Sequence, residues 1–190
     1  MKPPFKIFFI CTGNSARSQL AEGLANHLGQ GRIEAHSAGT MPIGVNAHAV
    51  AVMRERGIDI AGHYSKRIDD VPPPFDLVIT LCDHAARLCP VSVREYPMQH
   101  WSTPDPTFVP GGPEAIHQAF RGVRDRLEGQ IQELIDQVRP VRAPGGRERR
   151  KRPRPAAAAT AGTTPDPRPE ARATHPKSRA TPPKRRSARR

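Results

Sequence analysis

The sequence predicts a doubly wound α/β fold, a four-stranded parallel sheet with helices on both faces. Two observations carry this. The strand-like runs are short and mostly apolar, as strands buried on both sides of a sheet are. Between them, apolar residues return at three- and four-residue steps, the period of a helix facing a core.

The elements follow in order. Lys6–Ile10, with Phe8 and Phe9, reads as a buried strand and runs straight into Cys11-Thr-Gly-Asn-Ser-Ala-Arg-Ser18. Leu20, Leu24 and Leu28, with Ala21 and Ala25, then give helical spacing up to Gly29. Arg32–Ser37 is a second strand, ended by Gly39, and Ala47–Arg56 a helix stopped by Gly57. Phe75–Leu81 is the third and most apolar strand, and Glu95–Met98 a weaker fourth. Gly111-Gly112-Pro113 opens a long helix with Ile116, Phe120, Val123, Leu127, Ile131, Leu134 and Val138 on one face.

Charge divides the chain in two. Residues 141–190 hold 16 Lys+Arg and 3 Asp+Glu, so the first 140 hold 14 and 15. From Val141 onward there is no Leu, Ile, Met, Phe, Tyr or Trp, only Pro-, Ala-, Arg- and Thr-rich sequence. Such a segment cannot bury enough apolar surface to offset its ordering entropy. The expected division is therefore a folded domain at 1–140 and a basic disordered tail at 141–190. The clusters Arg149–Arg152, Lys184–Arg186 and Arg189–Arg190 suit non-specific attraction to nucleic acid or acidic surfaces, or simply a solvated extension. No aromatics are interleaved, so base stacking is not expected.

No apolar run approaches the roughly 18 residues of a membrane span, and Ile7–Ile10 is too short for a secretory leader. The expectation is a cytoplasmic protein without membrane contact. In that reducing compartment three cysteines are catalytic more often than structural.

The sharpest signal is Cys11-x5-Arg17-Ser18 between a strand and a helix. Backbone N–H groups of Thr12, Gly13, Asn14, Ser15, Ala16, Arg17 and Ser18 can wrap a tetrahedral oxyanion, with the positive end of the helix behind them. Arg17 offers a bidentate fork to its oxygens. The same field favours Cys11 as a thiolate nucleophile. Gly13 and Asn14 suit left-handed backbone angles, and Ser18 can donate to the Cys11 sulfur. A displacement at such a site needs a proton donor. Asp105, between Pro104 and Pro106 and just before the last helix, is the candidate.

Cys-Thr-Gly-Asn-Ser-Ala-Arg-Ser-Gln at 11–19 resembles the signature loop of low-molecular-weight protein tyrosine phosphatases and of thioredoxin-coupled arsenate reductases. The Thr-Gly-Asn-Ser form, with Gln19 and Glu22 following, is closer to the reductases. The resemblance covers about residues 5–138. In these families a Trp-x3-Asp-Pro segment carries the general acid, which moves that role onto Asp105 after Trp101. Their phosphatases follow Asp-Pro with tyrosines; here Thr107 and Phe108 follow, which weakens a phosphotyrosine reading.

A phosphatase needs one cysteine, whereas a reductase must deliver two electrons and needs partner thiols. Cys82 stands at the end of the third strand, the edge that carries the ligand crevice in such sheets, and Cys89 follows seven residues on. If 82–89 is helical, those two lie about 10.5 Å apart along the axis. A disulfide needs Cα atoms at roughly 4.4–6.8 Å, so the helix must open. The resemblance implies the sequence of events. Cys11 attacks arsenate, Asp105 protonates the departing oxygen, and Cys82 attacks the adduct and releases arsenite. Cys89 then frees Cys11, and thioredoxin reduces the Cys82–Cys89 disulfide. A phosphatase acting on phosphotyrosine or small molecules is the alternative. No cofactor or metal is expected, since a zinc reading of Cys82, His84 and Cys89 lacks a paired Cys-x2-Cys.

Some of these reductases bind potassium beside the loop through an Asn, a Glu, a Ser and an Asp. Asn14, Glu22 and Ser37 match the first three, and Lys66 stands in place of the fourth. Its ammonium can do electrostatically what the cation does, pairing with Glu22. His36, His48, His63, His117 and His175 form no ligand pattern, and Trp101 reads as packing.

Overall fold

The computed structural model describes residues 3–138; the tail expected at 141–190 lies outside them. The elements are β1 (Phe5–Cys11), α1 (Arg17–Gly29), β2 (Ile33–Gly39), α2 (Ala47–Arg54), β3 (Leu77–Thr80), α3 (Asp83–Leu88), α4 (Val91–Arg94), β4 (Met98–His100) and α5 (Pro113–Val138). The strands form one parallel sheet in the order β2-β1-β3-β4. The chain leaves β1 to one side and returns to its other side, so the direction of winding reverses between β1 and β3. A crevice opens there at the carboxyl ends of the strands, and Cys11 and Cys82 both lie at that edge.

Alternation along β1 explains the two faces. Ile7, Phe9 and Cys11 share a core with Leu20 and Leu24 of α1 and with Phe120, Leu127 and Ile131 of α5. Phe8 and Ile10 face the other way, among Val78, Phe75, Ala85, Cys89 and Val93. Phe8 stacks on Phe75 with centroids 4.5 Å apart. Each fully buried Phe or Leu is worth about 1.5–3 kcal/mol by area alone, so β1 is the common wall on which both layers depend.

Helix ends are locally encoded. Asn46 caps α2, its side chain accepting the His48 N–H at 2.8 Å. Gln30 ends α1 in the left-handed conformation, and the Asn26 side chain brackets Ala35 of β2 with bonds of 2.8 and 3.0 Å. On α5 the expected stripe is buried from Phe120 to Leu134, joined by Ile135 and by Arg124, which reaches the Val52 carbonyl. Ile116 and Val138 are only partly buried.

Some boundaries differ from the sequence reading. The fourth strand is Met98–His100, not Glu95–Met98. Tyr96 N–H instead closes the turn after α4 on Val93, and the Pro97 carbonyl accepts Val78 N–H, so the ladder begins there. The third strand is Leu77–Thr80 rather than Phe75–Leu81, although Asp76 and Leu81 N–H on either side of it still reach the Lys6 and Ile10 carbonyls of β1. The last turn of α2 tightens after Arg54, with Arg56 and Gly57 bonding three residues back. The short α4 after Pro90 was not legible.

Gly39 touches the Cys11 loop backbone to backbone. A Cβ there would sit 2.5 Å from the Thr12 carbonyl and 2.8 Å from the Asn14 nitrogen. Neither atom can move without deforming the loop, so Gly39→Ala should lower stability by about 1–3 kcal/mol. Gly122→Ala, in open space on α5, should be stabilising by up to about 1 kcal/mol. Thermal unfolding of the two variants checks the contrast.

Candidate active site

Residues 11–17 form a loop whose carbonyls are held from outside. Those of Cys11, Thr12, Gly13 and Ser15 accept N–H bonds from Thr40, Met41, Ile43 and Asn46, at 2.8–3.2 Å. The Asn14 carbonyl accepts from Ser65 Oγ at 2.6 Å and Gln19 Nε2 at 3.1 Å. In a planar trans peptide the N–H points opposite to the C=O, so the loop's amides are turned toward its centre. Asn14 has φ of 45°, and its N–H is directed at Cys11 Sγ, 3.2 Å away.

Cys11 is buried, and Ser18 Oγ lies 2.9 Å from its sulfur. Ser18 accepts from Asn14 Nδ2 at 2.9 Å, which leaves its own hydrogen for the sulfur. Asn14 Nδ2 also donates to Ser37 Oγ at 2.8 Å, and Ser37 donates to Glu22. Lys66 Nζ closes the chain 3.3 Å from Glu22 Oε2, while Lys66 N–H donates to Asn14 Oδ1 at 2.7 Å. A continuous run of hydrogen bonds thus joins the Lys66 ammonium to the Cys11 sulfur, with Glu22 accepting from both of its neighbours and Asn14 Nδ2 donating to both of its own. The structure brings together the four residues that the sequence placed beside the loop.

Arg17 and Asp105 meet across the crevice, Nη2 to Oδ2 at 2.6 Å, and Arg17 Nη1 donates to the Thr103 carbonyl. Asp105 Oδ1 accepts from Thr107 Oγ1 at 2.6 Å and from Thr107 N–H at 3.0 Å. The guanidinium fork is therefore engaged by the candidate acid. Trp101 packs beside Phe9, and its Nε1–H donates to Gln99.

Cys82 is the residue before α3 and Cys89 the residue after it, so 82–89 is helical between two free thiols. Cys82 is partly exposed, with Sγ 3.4 Å from Thr12 Oγ1, at the mouth of the loop. Cys89 is 3% exposed within the opposite core. Burial pushes its thiol above the ordinary value, more than the Arg94 guanidinium draws it down. Ala85 is the one buried side chain of α3. His100 ties the helix start to β4, with Nε2 3.0 Å from Asp83 Oδ1 and Nδ1 2.9 Å from Thr80 Oγ1.

Several participants escaped the sequence reading. Buried Gln19 bonds both oxygens of Asn14 and is steadied by His63 at 2.9 Å. Ser65, Thr103 and Thr107 hold the loop, Arg17 and Asp105. The resemblance of residues 11–19 named Gln19 but gave no sign of these contacts. His48 and His117 face each other on the α2–α5 surface, with His117 bound to Glu55, away from the cysteines. No group of three or more metal-ligating side chains occurs among the described residues.

A cysteine cradled by amides, with an arginine and a carboxylic acid opposite, defines a cysteine-dependent site for tetrahedral oxyanions. The chain belongs to the low-molecular-weight phosphotyrosine protein phosphatase family, whose model matches residues 6–143. An arsenate reductase of Halalkalibacterium halodurans is 42% identical over 131 residues, 68% of this chain and 94% of the relative. A solved structure described as an arsenate reductase in the phosphate-binding state superposes with a TM-score of 0.61 at 34% identity. That match covers 70% of this chain and 98% of the other. A thioredoxin-dependent arsenate reductase of Corynebacterium glutamicum gives 0.57 at 26% identity, covering 72% and 62%.

Two expectations follow from the site. Turnover should be insensitive to potassium at fixed ionic strength, and Lys66→Asp should make it potassium-dependent; a several-fold potassium response in the unaltered chain overturns the Lys66 assignment. The raised Cys89 value means the folded protein holds that proton more tightly than the unfolded chain. This contribution is complete below the ordinary thiol range, about pH 8.5. It is lost as pH rises through the folded value. Alkylation of the reduced protein, followed by peptide mass spectrometry, should label Cys89 more slowly than Cys82 at pH 7, with the gap closing at alkaline pH.

Proposed function

We infer that the chain reduces arsenate to arsenite and is re-reduced by thioredoxin. The observation that carries this reading is a second free thiol, Cys82, at the mouth of the Cys11 loop, joined by six helical residues to a third. The chemistry of phosphate-ester hydrolysis uses neither. The reductase relatives give independent support.

The arsenate oxygens are held by Arg17 and by the inward amides of residues 12–18, except that of Asn14, which serves the Cys11 sulfur. The anion supplies the counter-charge that Asp105 provides in the ion pair, so Asp105 is released to act as an acid. The Cys11 thiolate forms a bond to arsenic, and the departing oxygen takes the proton of Asp105. Cys82, as thiolate, then attacks the Cys11 sulfur. The sulfur–arsenic bonding pair stays on arsenic, which leaves as arsenic(III) in arsenite, and the two thiols are now a disulfide. Cys89 attacks Cys82 and frees Cys11. That step needs α3 to unwind and bring Cys89 out of its core, and it leaves the Cys82–Cys89 disulfide accessible to thioredoxin.

We assign the catalytic unit to residues 1–140. Among described residues no helix is long and apolar enough to cross a membrane, and a cytoplasmic location suits thiol chemistry. The basic tail's attraction to nucleic acid or acidic surfaces rests on its composition alone.

Arsenate turnover with thioredoxin, in the full chain, tests this. Cys82→Ser and Cys89→Ser should each abolish multiple turnover, Cys89→Ser still completing one with a Cys11–Cys82 disulfide. Retained turnover in both variants, or phosphate-ester hydrolysis without arsenate reduction in the unaltered chain, moves the assignment to a phosphatase.

A further inference from the structure

His84 lies in the first turn of α3, and the steps above give it no part. Thr12 Oγ1 stands between it and the second thiol, 3.4 Å from Cys82 Sγ and 3.3 Å from His84 Nδ1. A hydroxyl has one hydrogen and can accept as well as donate. With Cys82 as a thiol, S–H donates to Thr12 and Thr12 donates to Nδ1 of the tautomer that carries its hydrogen on Nε2. With Cys82 as a thiolate, both bonds reverse. The protonated Nδ1–H donates to Thr12, and Thr12 donates to the sulfur. Hydrogens shift and heavy atoms stay.

We propose that His84 takes the Cys82 proton through the Thr12 hydroxyl, readying the second thiol for attack on the Cys11–arsenic adduct. The inference rests on the reductase reading and assigns a positioning residue to its second step. The balance is one proton, from Cys82 Sγ to His84 Nδ1, and from there to solvent, since His84 is exposed. The electron pair left on Cys82 makes the new sulfur–sulfur bond, and the sulfur–arsenic pair departs with arsenic.

Few other groups are placed to take the proton. The α3 helix has six residues, and the Cys82 side chain makes no capping hydrogen bond to it. Cys82 stands at the N-cap, so the positive end of α3 favours the thiolate but takes up no proton. Asp83 is paired with His100 of β4, and Arg17 and Asp105, which part when the anion binds, make no hydrogen bond to Cys82 or Thr12 among the described residues. Arg87 lies a turn further along α3, and Cys11 is bonded to Ser18 and Asn14. His84 is the titratable group bonded to the hydroxyl that touches Cys82.

The test is a rapid-mixing single turnover in the full chain carrying Cys89→Ser, so that oxidation halts at the Cys11–Cys82 disulfide. Disulfide formation is followed by acid quench, alkylation and mass spectrometry, with and without His84→Gln. The expected result at pH 7 is a slowing by at least about tenfold. The rate in the Cys89→Ser background should rise with pH. With His84→Gln that rise should move to higher pH, and free imidazole should restore part of the rate. Equal rates and profiles overturn the proposal, as does slowing with an unshifted profile and no rescue by imidazole. No arsenate-dependent disulfide in the Cys89→Ser background overturns the reductase reading and this inference together, whereas a disulfide indifferent to His84 overturns this inference alone.

Discussion

The site depends on how Asn14 is held. It is fully buried, left-handed, and has every polar group bonded. Its N–H meets the Cys11 sulfur; its carbonyl takes Ser65 and Gln19; its side-chain oxygen takes Lys66 N–H and Gln19; its side-chain nitrogen serves Ser18 and Ser37. Each buried polar group left unpaired costs about 1–3 kcal/mol, so these bonds stand or fall together. The network fixes the loop's curvature, the direction of its amides and the hydrogen that Ser18 presents to sulfur. The Lys66–Glu22 pair anchors its far end, a compact charge matched to a buried carboxylate.

At the other side of the crevice the structure is built loosely. The α3 helix has six residues, one buried side chain, and ties at its ends to His100 and to Arg94, which bonds the Arg87 carbonyl at 2.8 Å. The 26-residue α5, by contrast, buries seven side chains. Local opening should be easiest where few apolar contacts must be broken. A rigid loop beside a lightly held helix suits chemistry that needs one fixed sulfur and one that travels.

Much of this was legible because the informative residues are consecutive. β1, the loop and α1 form one unbroken stretch, where strand pattern, Cys-x5-Arg spacing and helix period each point the same way. Residues 82–89 were legible through two cysteines flanking a run that could coil. Asp105 showed itself through its prolines. What escaped depends on contacts between distant segments. Gly39 matters because the Thr12 carbonyl passes against it, Gln19 because Asn14 and His63 fold over it, and Ser65 because its hydroxyl finds a carbonyl fifty residues away. The start of β4 is set by where Val78 needs an acceptor, which no local pattern states. Arg17 on Asp105 is likewise a tertiary fact.

The placement of the three sulfurs relative to the sheet has one more consequence. Cys11 belongs to the core on one face and Cys89 to the core on the other, while Cys82 packs against both. A strand layer therefore bars the first and last thiols from short-circuiting. In the proposed reduction, this arrangement would send the oxidising equivalents through the middle sulfur before the buried one is drawn outward. The fold behaves as a turnstile: the order of exchange is written in which side of β1 each cysteine occupies.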